Sequence, residues 1–189
     1  GFARILRDGA GRVLAIVEEC QAAPEQLEIT ELNAGVYCFD ASWLWEHLPR
    51  LQLSPKGEYH LTDLVSVAAE EGRRVEATVV DDSSEALGVN NRLHLAEVEA
   101  TVRQRIRERL MLAGVSMVDP GSTYVDATVR VERDTIIYPN THLQGSTHIG
   151  TDCLIGPNTI VRNSSIGDGC RVEASVIEAA IMGREVTVG

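Results

Sequence analysis

At 189 residues, with 44% hydrophobic and 24% charged side chains, the chain is long enough for one large domain or two small ones and apolar enough to bury a core. Its net charge of −11 runs against a nucleic-acid partner, because binding phosphates needs clustered Lys and Arg. No apolar run approaches the roughly 20 residues that cross a bilayer, and Gly1 to Asp8, with two arginines and no apolar stretch, do not make a secretory leader.

Residues 4–8 and 12–19 have the apolar content of two strands, joined by a hairpin turn at Gly9-Ala10-Gly11. No third glycine and no helical pattern follow, so this is not a dinucleotide loop. Glu18 continues the face of Leu14 and Ile16 by alternation. A carboxylate there is either a strand-end residue reaching solvent or a site residue at a cleft, and the pattern leaves both open. After a polar excursion over 23–32, Asn33–Asp40 has the look of a buried strand and Ala41–Leu51 of a short amphipathic helix. A helix over Glu58–Glu71 entered through Gly57, a strand over Val75–Val80 and a turn at Gly88–Asn91 complete the first half. Strands alternating with helices predict an α/β layer with a largely parallel sheet over residues 1–90.

Asn91 is placed to cap a long helix that runs to about Ala113 and stops at Gly114. Leu95, Val98, Val102, Ile106, Leu110 and Met111 form its apolar stripe, and its five arginines form a solvated connector face. Helix and linker occupy 91–118.

From Val125 onward large aliphatics recur every six residues: Val125, Val131, Ile137, Leu143, Ile149, Ile155 and Val161. A small or β-branched series sits four residues after each: Val129, Thr135, Thr141, Thr147, Cys153, Thr159 and Ser165. The register then slips by one and resumes at Ile166 with Cys170, Val172 with Val176, Ile177 with Ile181 and Met182 with Val186. A period of six suits a left-handed parallel β-helix of hexapeptide repeats over 119–189, with one face per hexapeptide and three faces per rung. One repeat cannot stand alone. Burying its aliphatic contributes about 2–3 kcal/mol, against roughly 1–2 kcal/mol of backbone entropy for each of its residues. Stacking on neighbouring rungs closes the gap. The repeat reaches Gly189 without a cap and Gly1 stands where a start methionine would, so a longer parent protein is expected.

The cysteines, Cys20, Cys38, Cys153 and Cys170, include no CxxC pair and are expected to be small buried thiols in a reducing compartment, here the cytoplasm. His142 and His148 each follow a small inward residue by one position and should point outward as surface histidines.

Taken in order, several strings are similar to one bacterial enzyme family. They are Gly1-Phe2-Ala3-Arg4-Ile5, Ile16-Val17-Glu18, Glu31-Leu32-Asn33-Ala34-Gly35 and Gly57-Glu58-Tyr59-His60-Leu61-Thr62-Asp63. Gly88-Val89-Asn90-Asn91-Arg92 and Leu112-Ala113-Gly114-Val115 through Asp119-Pro120 follow. With the α/β, long-helix and β-helix order, they resemble the bifunctional N-acetylglucosamine-1-phosphate uridyltransferase/glucosamine-1-phosphate acetyltransferase. The resemblance implies that residues 1–90 are the C-terminal portion of a Rossmann-like nucleotidyltransferase domain and that 119–189 are the first rungs of an acetyltransferase β-helix. It implies uridylyl transfer from UTP to N-acetylglucosamine 1-phosphate with Mg²⁺, acetyl transfer from acetyl-CoA to glucosamine 1-phosphate, and a homotrimer formed through the β-helix. It assigns Ala3, Glu18, Asn33 and Asn90 to the UDP-N-acetylglucosamine site, with Asn90 also a Mg²⁺ ligand. Glu58, Tyr59 and Thr62 match a segment lining the sugar pocket. Ala3 departs from the family's usual glycine; it keeps the backbone amide but restricts φ. The family's catalytic segments fall outside this sequence, so no catalytic residue is assigned and the chain by itself is expected to be inactive. Two alternatives stay open: another sugar-1-phosphate nucleotidyltransferase with a β-helix tail, and a non-catalytic β-helix trimerisation module.

Overall fold

A computed structural model describes residues 2–54 and 56–189, which leaves out Gly1, the first residue of the resemblance. Its contacts divide the chain into two compact units, residues 1–87 and 88–189.

In the first unit, β1 (Arg4–Arg7) and β2 (Val13–Val17) form an antiparallel hairpin, with Ile5 opposite Ile16 and Arg4 opposite Val17. The side chain of Asp8 ties the turn by accepting from the backbone N–H groups of Ala10 and Arg12, both at 2.9 Å. The pairing is irregular between Leu6 and Arg7. That irregularity changes which face is inward: Val13 and Ile16 are both buried although three residues apart, and Leu14 is 44% exposed instead of sharing the core face.

Three helices follow: α1 (Pro24–Leu27), α2 (Ala41–His47) and α3 (Asp63–Glu70). Asp40 caps α2 by accepting the Trp43 N–H at 2.9 Å. Two small cores result, one of Ala3, Ile5, Val13, Ile16 and Val65, the other of Trp43, Leu64 and Ala68. Glu71, just past α3, binds α2 with both carboxylate oxygens. One accepts the Trp43 indole N–H at 2.8 Å, and the other lies 2.8 Å from His47 Nε2. Accepting first from Trp43 and then from His47 holds its carboxyl below the usual carboxylate range.

The largely parallel sheet expected here is not formed; among the described residues the only sheet of this unit is the β1–β2 hairpin. Asn33–Asp40, expected as a buried strand, pairs with no neighbouring strand, and Val36 is 87% exposed. Val75–Val80 is likewise no strand, with Val79 72% exposed. An apolar, β-prone run becomes a strand only when another strand takes its backbone N–H and C=O groups. The expected helix over Glu58–Glu71 begins five residues late, at Asp63. Its first residues are held in a turn instead, where Ser54 N–H donates to Glu58 O at 2.8 Å and Gly57 takes φ +81. Cys20 and Cys38 are exposed, against expectation: Cys20 lies in a single 3-10 turn, Glu19–Gln21, that buries no residue, and Cys38 in the unpaired stretch Asn33–Asp40.

In the second unit, Asn91 caps α4 (Arg92–Leu112) by accepting the His94 N–H at 2.9 Å. The helix stops as its glycine requires. Gly114 has φ +98, Val115 N–H donates to Leu110 O at 3.1 Å, and Gly114 N–H donates to Met111 O at 3.0 Å. Ile106 and Leu110 join the core of the region that follows.

That region is a left-handed parallel β-helix. Its first face stacks Thr123–Val125, Thr141–Gln144, Thr159–Arg162 and Val176–Glu178. The second stacks Arg130–Val131, His148–Ile149, Ser165–Ile166 and Ile181–Met182. The third stacks Ser116–Met117, Ile136–Ile137, Leu154–Ile155, Arg171–Val172 and Thr187–Val188. The aliphatics lie directly over one another, Leu143 on Val161 and Ile149 on Ile166, and Ile137, Leu143, Ile149, Ile155, Val161 and Val172 are wholly buried. The buried hydroxyls are satisfied at the corners: Thr141 donates to Tyr138 O, Thr147 to Gln144 O and Ser164 to Arg162 O, at 2.7–2.8 Å. Burial pushes the Cys153 thiol up.

The small inward residue keeps a fixed place two positions before its aliphatic, as Thr147 before Ile149. The faces ending at Ile166, Ile177 and Met182 therefore contain five residues after the preceding aliphatic. Their inward partners are Ser164, Ser175 and Ala180, not Ser165, Val176 and Ile181 as expected; Val176 is 65% and Ile181 90% exposed.

Candidate functional site

Unit one brings three of the expected residues together. β1 has β2 on one side and the stretch around Leu32 on the other, since Arg4 pairs with Val17 and also bridges to Leu32. One residue back along both registers, Ala3 stands between Glu18 and Asn33, and the Asn33 N–H donates to Ala3 O at 2.9 Å. Residues directly opposite in an antiparallel pair share a face, with Cβ atoms about 5 Å apart. The result is a row: a carboxylate, a buried methyl and an amide.

Each polar side chain in the row is held from behind. The hydroxyl of Thr62, only 6% exposed, donates to Glu18 Oε1 at 3.2 Å. This holds one carboxylate oxygen of Glu18, which stands half-buried just past the end of β2. Asn33 accepts the Gly35 N–H on Oδ1 at 3.1 Å and donates from Nδ2 to the Tyr37 hydroxyl at 2.6 Å. Gly35 takes φ +77 to make that turn, a conformation that suits glycine. Chemically the row offers an acceptor and an amide across a non-polar floor, an arrangement that suits the hydroxyls and carbonyls of a sugar.

The other expected residues are placed differently. Glu58 and Tyr59 are exposed, and Tyr59 lines a separate hollow of about 270 Å³ with Leu48, Pro49 and Leu51. Asn90 belongs to the second unit, exposed just before α4, with its backbone N–H 3.4 Å from His94 Nδ1. Its amide oxygen is a hard donor of the kind Mg²⁺ prefers. That ion, however, demands about six oxygens in octahedral array, and no group of three or more His, Cys, Asp or Glu that could hold a metal stands together among the described residues. The residues present therefore do not make a Mg²⁺ site on their own. Two residues escaped the sequence reading. Tyr37 was hidden in a supposed strand. His60 has a buried Nδ1 without a partner among the described residues, and it carried no pattern that would single it out.

The second unit has a larger hollow of about 530 Å³, lined by Glu99, Arg103, Tyr124, Asp126, His142 and Gln144 among others. The Arg103 guanidinium lies 4.6 Å over the Tyr124 ring, which stacks on His142 at 4.5 Å, so His142 is an outward residue tied into a stack. Its charges are already matched within the unit: Arg103 pairs with Glu99, and Asp126 accepts the Gly145 N–H at 2.8 Å. His148, on the next face, lies 3.3 Å from Glu132.

Comparison with known proteins adds to this geometry. The family model for the bacterial transferase hexapeptide (six repeats) matches residues 128–163. The whole chain is 42% identical to the bifunctional protein GlmU of Pelobacter propionicus and covers 42% of it. It is 44% identical to that of Carboxydothermus hydrogenoformans, covering 43% of it, and 42% identical to that of Clostridioides difficile, covering 41% of it. In each case all of this chain is matched, and the chain spans about two fifths of the length of these relatives.

Proposed function

Since the chain belongs to the family of the bifunctional protein GlmU, we propose that it is part of a transferase that makes UDP-N-acetylglucosamine. The observation that carries this reading is identity of 41–44% along all of the chain, across both units. In this reading the protein transfers uridylyl from UTP to N-acetylglucosamine 1-phosphate, and acetyl from acetyl-CoA to glucosamine 1-phosphate. The row Ala3, Glu18, Asn33 holds the sugar: Glu18 accepts from its hydroxyls, and Asn33 offers its remaining amide capacity. Neither residue breaks a bond; they orient the sugar phosphate for in-line displacement, where positioning supplies much of the rate. Asn90 would offer one oxygen toward Mg²⁺, which would neutralise charge on the transferred phosphates, its other ligands coming from phosphate, water and the rest of the full-length protein. The hexapeptide β-helix supports assembly as a homotrimer and the acetyl-transfer role. The absence of any helix long and apolar enough to cross a membrane among the described residues is compatible with work in the cytoplasm.

The test is pyrophosphate release by the full-length protein, given UTP, Mg²⁺ and either N-acetylglucosamine 1-phosphate or glucose 1-phosphate. Release with the first sugar, lost in Asn90→Ala and weakened through KM in Glu18→Gln, is expected. Release with glucose 1-phosphate alone overturns the sugar assignment, and release with neither overturns the uridylyl-transfer reading.

A further inference from the structure

We infer that Tyr37 is a positioning residue for Asn33, and that its own hydroxyl proton is the donor for an oxygen of the bound sugar. The inference rests on the sugar-site reading of Ala3, Glu18 and Asn33 and deepens it. An asparagine amide has two acceptor lone pairs on oxygen and two N–H donors. In Asn33 the oxygen must be the atom facing the Gly35 N–H, because that N–H can only donate. The nitrogen is then the atom 2.6 Å from the Tyr37 hydroxyl, so the phenol oxygen accepts. The side chain is clamped at both ends in one orientation. One N–H and one lone pair remain for a ligand.

The same inventory applied to Tyr37 leaves something over. Its oxygen is engaged as an acceptor, while its proton meets no acceptor among the described residues. The ring is anchored: it packs against the core of Ala3, Ile5, Val13, Ile16 and Val65, and its centroid is 5.9 Å from that of Phe39. A phenol held by its ring and polarised by an incoming amide proton is a stronger donor than a free one. The Asn33 side of the row therefore presents two donors, the amide N–H and the phenol O–H, and the Glu18 side presents an acceptor. The matching ligand is a sugar whose hydroxyl hydrogens face Glu18 and whose oxygen, from a hydroxyl or an acyl group, faces Asn33 and Tyr37.

The experiment uses the full-length protein labelled with ¹⁵N, with UDP-N-acetylglucosamine as the probe. In the unsubstituted protein the Asn33 side-chain amide should give two well-separated proton signals that exchange slowly with water. Tyr37→Phe, which keeps the ring and its packing, should move those signals and speed their exchange. An Asn33 amide that already exchanges freely in the unsubstituted protein, or that is untouched by Tyr37→Phe, overturns the positioning role. On titration with UDP-N-acetylglucosamine, Tyr37→Phe should weaken binding about fivefold, the size of one hydrogen bond. The double variant Tyr37→Phe/Asn33→Ala should lose less than the product of the two single losses. Losses that multiply overturn the coupling. A protein that binds no UDP-N-acetylglucosamine overturns the sugar-site reading and with it the donor role, and the amide signals still decide whether Tyr37 positions Asn33.

Discussion

The two units make their cores by different means. In the β-helix each rung uses the rung beside it, so one pattern repeated many times yields a continuous column of aliphatic side chains no more than 1% exposed, from Ile137 to Val172. In residues 1–87 the apolar side chains are as frequent but are gathered into two small clusters, and Val36, Val79 and Val80 stay in solvent. Hydrophobic content alone does not make a core. What counts is whether each apolar run finds a partner for its backbone, which the solenoid guarantees by repetition and the first unit achieves only at its hairpin and helices.

The sharpest way to break this comparison is to cut the same kind of hole in both places. Leu143→Ala, at a site with no exposure, should cost about 3–5 kcal/mol, and Ile5→Ala in the hairpin cluster about 2 kcal/mol. Denaturant melts followed by circular dichroism measure both, and equal costs would mean that the solenoid core is no better packed. The next effect concerns one glycine from each unit. A Cβ on Gly167 would lie 2.6 Å from Gly183 O, whereas one on Gly9, in the turn of the hairpin, meets nothing within 4 Å. Gly167→Ala should therefore cost about 2–3 kcal/mol and Gly9→Ala close to none, read from the same melts.

A smaller effect probes the first unit through pH. Glu71 has its carboxyl lowered in the fold by Trp43 and His47, so it binds fewer protons folded than unfolded. The stability this supplies is present above the ordinary carboxylate range and is lost as pH falls through the lowered value. Stability of the chain measured between pH 6 and 3 should fall less steeply in Glu71→Gln, and an unchanged slope would remove Glu71 from the account. Smallest is a gain. Ala179 sits at φ 48, which disfavours a residue with a Cβ, so Ala179→Asn should stabilise by about 1 kcal/mol.

The legibility of the sequence followed the same divide. A period of six names its own partners, so the solenoid could be seen from spacing, and Asn91 and Gly114 bounded α4 because caps act locally. The misplaced Ser165, Val176 and Ile181 came from carrying a four-residue offset forward where the fold keeps a two-residue offset back. Asn33–Asp40 and Val75–Val80 carried strand composition, but pairing is a property of two segments and cannot be seen in one. At the site, Ala3, Glu18 and Asn33 were marked by resemblance and brought into one row by the hairpin register, while Thr62 proved to stand behind Glu18. Tyr37 was invisible because its role depends on a side-chain hydrogen bond to a residue four positions away, which no periodicity encodes.

The five-residue faces carry an evolutionary consequence. Each corner sets anew the distance from an aliphatic to the next small inward residue, so a codon lost at a corner shortens one edge and leaves every later rung in phase. The same loss within a face would exchange inside for outside at that face, placing a polar residue such as Arg171 where Val172 belongs. Single-residue gaps among relatives should therefore gather at the corners, and a solenoid of this kind can drift in length while its interior stays under strict selection.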